Sequence, residues 1–366
     1  MSKNKNKNKT KNKNTNNTNN TNNTNNTNNT NNTNNTNNTN NVLPFVSICT
    51  PTFNRRPFFP AIIKCIENQT YPIEKMEWII IDDGTDPIED LIKNIPIVKY
   101  FKYDTKMALG KKRNIMHDKS KGDILVYMDD DDYYPPERVS HSVEKLLSDK
   151  NVLCAGSSEI YIYFKHIEKM YQFGPYGKNH ATAGTFAFKR ELLKITKYDN
   201  DACLAEEKHF LKNYTIPFIQ LEPLKSILVF SHKHNTFDKR KLLTNINPDT
   251  TKESNKKIDD FVKEPELKNF FLNIDNKLKD YKPGEPNMKP DVIKQILDIS
   301  KKRELNNQNK IPINFDNKNM NLSIIEINQL LNNLLNDNKM LSKEIHLVKQ
   351  NYNNLLNQYT MLLNKK

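Results

Sequence analysis

Residues 122–136 read GDILVYMDDDDYYPP: a short apolar run, four consecutive aspartates, two tyrosines and two prolines. ILVYM has the length and composition of a buried strand, and the aspartates stop it. The same pattern recurs upstream. Residues 78–81 (WIII) form a second run, ended by the turn chemistry of Asp82-Asp83-Gly84, and residues 46–50 (VSICT) form a third, bounded by Pro44 and Pro51. Residues 95–103 alternate like a further strand. Pro57 can open a helix on which Phe58, Ile62, Ile63 and Ile66 recur at helical spacing, and residues 109–119 read as another helix. Strand, helix, strand, strand, helix, strand over residues 46–128 predicts an α/β architecture, a mostly parallel sheet flanked by helices. Ligands of such sheets gather beyond the carboxyl ends of the strands. Three polar clusters fall there: Thr52-Phe53-Asn54-Arg55, Asp82-Asp83-Gly84 and the four aspartates.

Four adjacent carboxylates in isolation describe a solvated acidic turn. Fixed at a strand end, they are hard oxygen ligands for Mg²⁺ or Mn²⁺, ions that keep several waters and complete their shell with substrate phosphates. Asp82 and Asp83 either terminate a strand or accept a hydrogen bond from a base or sugar. Phe53 is either core or a face for a base. Lys111, Lys112 and Arg113 are either a wet helix face or a phosphate contact, for which Gly110 would permit close backbone approach.

The order and spacing of these segments resemble glycosyltransferase family 2. SICTPTFNRR (47–56) is similar to that family's opening, NQTYPIEKMEWIIIDDGTD (68–86) to its second strand and acidic turn, ALGKKRNI (108–115) to its Arg-Asn segment, and GDILVYMDDDDYYPPERV (122–139) to its Asp-x-Asp segment. The resemblance implies the Rossmann-like GT-A fold and an inverting, metal-dependent transfer of a sugar from a nucleotide donor, UDP-linked, to a hydroxyl on a glycan, protein or lipid. It implies donor contacts from Pro51, Thr52, Phe53, Asp83, Arg113, Asp129 and Asp130, and metal contacts from Asp131 and His232, with His234 as the alternative. CLAEEKHFL (203–211) is similar to the segment bearing the catalytic base, which falls on Glu207, with Glu206 as competitor; the family usually has Asp there. His180 and Thr182 lie in a stretch that in the family sits under the acceptor.

The ends of the chain differ in kind. Residues 1–41 become a strict Thr-Asn-Asn repeat from Thr15; with nothing apolar to bury they are expected to be disordered. Domain boundaries follow as 1–41 (tail), 42–240 (GT-A domain), 241–320 (helical extension or linker) and 321–366. In the last segment residues 324, 327, 331, 334, 338, 341, 345, 348, 352, 355, 359 and 362 form a heptad seam with Asn338 at a core position. That pattern predicts a coiled coil and a homo-oligomer, dimer or trimer, against the alternative of one amphipathic helix packed on its own domain.

The formal charge is +13. Setting aside the six tail lysines and a surplus of two over residues 321–366 leaves +5 on residues 42–320, which suits an anionic small ligand. No basic helix with base-reading side chains is evident, so nucleic acid is not expected. No membrane span or signal peptide is present, and the four cysteines are scattered without a C-x-x-C pair. A soluble cytoplasmic protein with reduced thiols is expected, in a virion or host cytoplasm if viral, the Asn-Thr repeats being similar to those of proteins from AT-rich genomes. Two competing functions are a nucleotidyltransferase, for which residues 52–60 lack the glycine-rich, lysine-bearing loop, and a non-catalytic scaffold that binds a nucleotide sugar.

Overall fold

The computed structural model of the protein describes residues 43–204, 207–244, 246–315 and 318–364. The tail expected at 1–41 and Glu206 lie outside the described residues. The first half of the chain alternates as the sequence predicts: β1 (Val46–Thr52), α1 (Phe59–Glu67), β2 (Met76–Asp82), α2 (Glu89–Ile92), β3 (Val98–Lys102), α3 (Leu109–Lys119), β4 (Ile124–Tyr127) and α4 (Arg138–Ser148). Every residue of β1, β2 and β4 is buried, which is why these strands read as unbroken apolar runs.

The chain continues through β5 (Cys154–Gly156), β6 (Ile160–Phe164), β7 (Lys169–Phe173), β8 (Ala187–Lys189), α5 (Glu207–Phe210), β9 (Phe218–Gln220), β10 (Leu228–Ser231) and β11 (Thr251–Glu253). A seven-stranded sheet runs β3-β2-β1-β4-β8-β5-β9. Only β8 is antiparallel to its neighbours, so the sheet is mostly parallel, as a GT-A fold requires. A second sheet, β10-β6-β7-β11, stands beside it, joined where Tyr133, just past the aspartates, bridges Leu228.

Residues 241–320, expected as a helical extension or linker, form short helices, of which the first dock on this body. They contribute α6 (Ile258–Phe261), α7 (Pro265–Leu272), α8 (Ile274–Leu278) and α9 (Pro290–Gln308). Phe271 of α7, 1% exposed, stacks on Phe230 of β10 at 4.5 Å and meets Tyr133 edge-on at 6.2 Å. A hairpin of β12 (Ile311–Phe315) and β13 (Lys318–Leu322) leads into α10 (Ile324–Leu363), a 40-residue helix opened by a reciprocal Ser323–Glu326 capping box. Most of its leucines, including Leu331, Leu341 and Leu355, are exposed. All four cysteines are buried and unpaired. No helix among the described residues is long and apolar enough to cross a membrane.

Candidate active site

Three strand ends are fastened together before any site residue is placed. Trp78 Nε1 donates to Thr50 Oγ1 at 2.8 Å, and Thr50 Oγ1 donates to the Met128 carbonyl at 2.7 Å. This chain joins β2, β1 and the exit of β4 at the residue preceding Asp129. The buried Arg138 guanidinium adds a second fastening, donating to the carbonyls of Tyr127 (3.1 Å) and Phe186 (2.9 Å). At the end of β1 the chain turns through Asn54, whose φ of 52° is left-handed. Its side chain supports the turn by accepting the N–H groups of Thr85 and Asp86 and donating to the Pro283 carbonyl at 2.9 Å.

The aspartates are then divided by their surroundings. Asp131 is half-buried; its desolvation alone would raise its pKa, but Arg55 Nη2 at 3.4 Å and His232 Nε2 at 3.3 Å hold it well below the ordinary carboxylate value. Burial, opposed by Arg55 and aided by Asp131, raises Asp130 to about 7, with the Arg55 Nε 3.7 Å away. Burial and then Asp131 push Asp132 well above the usual range. Asp131 therefore gives up its proton more readily than Asp130 or Asp132. Burial, more than the opposing Asp131, lowers His232 to about 4. Its Nδ1 accepts the His234 N–H at 3.2 Å, and its Nε2 lies 2.8 Å from the Asn235 amide nitrogen as well as 3.3 Å from Asp131. His234 is buried beneath Tyr281, stacked at 6.1 Å, and its ring does not reach the aspartates.

These groups open into a cleft of about 340 Å³ whose walls include Pro51, Phe53, Arg113, all four aspartates, Thr182 and Glu207. Arg113 is buried over the rings of Tyr127 and Tyr198, with its Nη2 3.9 Å from Asp129 Oδ1. The Ala183 N–H donates to Glu207 Oε1 at 3.4 Å, at the first residue of α5. Four expected residues stand apart from the cleft walls, among them His232, whose side chain is fully buried against Asp131. Thr52 is buried beneath them. Asp83 is committed to protein partners, Lys112 Nζ at 2.7 Å on one oxygen and the Met107 N–H at 2.5 Å on the other. His180 sits between Tyr176 and Tyr214, with ring centroids 5.0 and 5.3 Å away. Gly110 is required not for a phosphate but for the chain itself: a Cβ there would lie 1.9 Å from the Asp199 carbonyl.

The sequence reading gave no role to Arg55, Lys106 and Lys289, three cations of the cleft wall, and left Lys112 between a wet helix face and a phosphate contact. Arg55 was visible in the first polar cluster but had no partner to assign it to. Lys106 and Lys112 lie over Phe53 at 5.3 and 5.8 Å, and Lys289 comes from the extension. A sequence signal for the lysines was the local surplus of cations between residues 99 and 113; Lys289 had none.

Asp131 and His232 converge, and Asp132 Oδ1 is buried without a hydrogen-bond partner. Among the described residues no group of three or more metal-ligating side chains forms a closed cage. Asp131 lines the cleft and His232 backs it from a fully buried position, so a divalent ion held there would take its remaining ligands from phosphates and water.

Known proteins resemble parts of this chain. The family model described as Glycosyl transferase family 2 matches residues 47–211. A glycosyltransferase of Haemophilus influenzae, itself uncharacterized, is 26% identical over 209 residues, covering 53% of this chain and 79% of its own. The GalNAc(5)-diNAcBac-PP-undecaprenol beta-1,3-glucosyltransferase of Campylobacter jejuni is 29% identical over 115 residues, 30% of this chain and 35% of its own. Among solved structures, a mannosyltransferase from Pyrobaculum calidifontis in complex with GDP-Man and Mn²⁺ is 18% identical over 52% of this chain and 58% of its own, with a TM-score of 0.43. S. aureus TarS 1-349 in complex with UDP-GlcNAc is 17% identical over 51% and 58%, with a TM-score of 0.40. The chain thus spans little more than half of these solved chains and about a third of the Campylobacter relative. The motif order, the parallel sheet and the matched segment agree: residues 47–211 form a glycosyltransferase family 2 domain.

Proposed function

We propose that the protein transfers a sugar from a UDP-sugar to a hydroxyl acceptor on a glycan, protein or lipid, with inversion at the anomeric carbon. The observation that carries this reading is the meeting, in one cleft, of the Asp129–131 carboxylates, the Arg113 guanidinium and the Glu207 carboxylate. Pro51 and Phe53 offer an apolar wall for the base, and Asp129 and Asp130 are acceptors for the ribose hydroxyls. Thr52 and Asp83 support that wall from behind, Asp83 through Lys112. Asp131 and His232 would hold Mn²⁺ or Mg²⁺, which supplies charge stabilisation for a departing diphosphate.

Glu207 accepts the proton of the acceptor hydroxyl as its oxygen bonds to the anomeric carbon. The bond from that carbon to the diphosphate oxygen breaks, and the diphosphate leaves with the electron pair. Arg113 stabilises the charge that develops there. A single displacement inverts the configuration. Thr182, on the cleft wall next to Ala183, is placed to position the acceptor; His180, removed from the wall, would act only through the loop that carries Thr182. The exposed heptad seam of α10 supports assembly of the chain as a coiled-coil homo-oligomer, and four buried, unpaired thiols support a reducing, cytoplasmic setting.

Hydrolysis of a panel of nucleotide sugars, measured with Mn²⁺ and with chelator, tests the reading. One UDP-sugar is expected to be consumed in a metal-dependent way, and Asp131→Asn to abolish it. Full activity of that variant would show that the ion is held elsewhere; no turnover of any donor would leave a binding scaffold.

A further inference from the structure

The segment from residue 281 to 295 lies outside the matched family segment, yet it crosses the mouth of the cleft and is fixed on both sides. On the side of β1 and β2, Tyr281 donates to Asp86 at 2.8 Å and Asn54 donates to the Pro283 carbonyl. Gly284 packs so closely there that a Cβ would sit 2.5 Å from the Asn54 carbonyl. On the side leading to Glu207, Lys106 pairs with Asp291 at 2.5 Å, Gln295 accepts the Cys203 N–H at 2.9 Å and donates to the Asp201 carbonyl at 2.7 Å. Between these anchors Lys289, Asp291 and Val292 form part of the cleft wall.

Lys289 is 94% buried by virtue of a 6% exposure, although its neighbourhood is already cationic. Lys106, Lys112 and Lys289 all lie within 6 Å of the Phe53 ring. Two of the three have a carboxylate of their own, Asp291 for Lys106 and Asp83 for Lys112. Among the described residues the Lys289 ammonium has one hydrogen-bond partner, the Thr236 hydroxyl at 3.0 Å, so donor capacity is left over inside the cleft. Burial first, and Arg55 second, push its basicity well below the ordinary lysine value, opposed by Asp130 and Asp131. An empty cleft therefore holds this cation at a cost that a bound anion removes.

We propose that Lys289, delivered by the segment across the cleft mouth, binds the phosphates of the nucleotide donor. The proposal rests on the transferase reading above and adds to it that the phosphate site is completed from outside residues 47–211. Asp291 does not oppose it, because Lys106 already neutralises that carboxylate.

The full-length protein, its Lys289→Met variant and its Lys289→Arg variant are titrated with UDP by calorimetry in the presence of Mn²⁺, and with uridine by ligand-observed NMR. In Lys289→Met the UDP affinity is expected to fall about 10–100-fold, the effect of losing one charge-assisted phosphate contact, with uridine affinity unchanged. Lys289→Arg is expected to stay within about threefold of the wild type. Unchanged UDP affinity in Lys289→Met overturns the proposal, as does an equal loss in both variants or a parallel loss of uridine binding, which would mark a structural role. If the wild type itself bound neither UDP nor GDP, the transferase reading would fall, and this inference with it.

Discussion

His117 on α3 gives a stability prediction that can be worked through in full. The ring is 5% exposed, its Nε2 lies 2.6 Å from the Tyr127 hydroxyl, and it meets Phe188 edge-on at 5.4 Å. Burial, followed by the nearby Arg113 and Arg190, lowers its pKa from 6.5 to about 3. The unfolded chain therefore takes up a proton that the folded chain refuses between these values. Stability contributed by the neutral ring is complete above pH 6.5 and is lost as the pH falls toward 3. From pH 7 to 4.5 this one group removes about 2.5 kcal/mol, at about 1.4 kcal/mol per pH unit below 6.5. His117→Gln keeps a polar group opposite Tyr127 and cannot titrate. Urea unfolding of both proteins at pH 7 and 4.5 is the assay. The variant is expected to be less stable at pH 7 by about 1–3 kcal/mol, as for a weakened buried contact, and to lose most of that deficit at pH 4.5. The other buried histidines titrate in both proteins and cancel in the difference. A gap that stays constant with pH would refute the assignment of a neutral, acid-resistant ring.

Glu207→Gln should lower kcat by about 10²–10⁴-fold, as expected for loss of a general base, while calorimetric UDP affinity holds; a loss confined to KM would remove it from that role. Phe271→Ala, which empties the space against Phe230 and Tyr133, should cost about 3–5 kcal/mol in urea unfolding, because the extension docks through that ring. Removing residues 321–366 should reduce the sedimenting species to a monomer; an unchanged species would show that α10 does not assemble the chain.

The strands that carry the site were legible because they are buried on both faces, a condition that writes itself into the chain as VSICT, WIII and ILVYM. β8, only three residues long, is antiparallel between β4 and β5, and nothing so short has a period to read. The extension was legible only as short helical patches, for a related reason. Its core residues, Phe261, Phe271, Ile274 and Leu278, are spread over three short helices, so each helix offers too few apolar positions to stand out from its lysines and asparagines. In the site, the aspartates and Glu207 announced themselves by order and spacing. Asp83 did not reveal that Lys112, a helix away, would occupy it, and Arg55 gave no sign of reaching Asp131. Long-range pairings of this kind depend on the third dimension, which local composition does not encode.

The contacts of Tyr281 with Asp86 and of Pro283 with Asn54 join residues separated by 195 and 229 positions. At about 5–20 residues per second, a ribosome needs on the order of 10–50 s to make the later partner after the earlier one. During that interval the nascent α/β sheet can form with its carboxylate pocket uncovered on one side. The complete cleft is thus a late product of translation, and a chain released early would retain its aspartates but lack the wall that Lys289 provides.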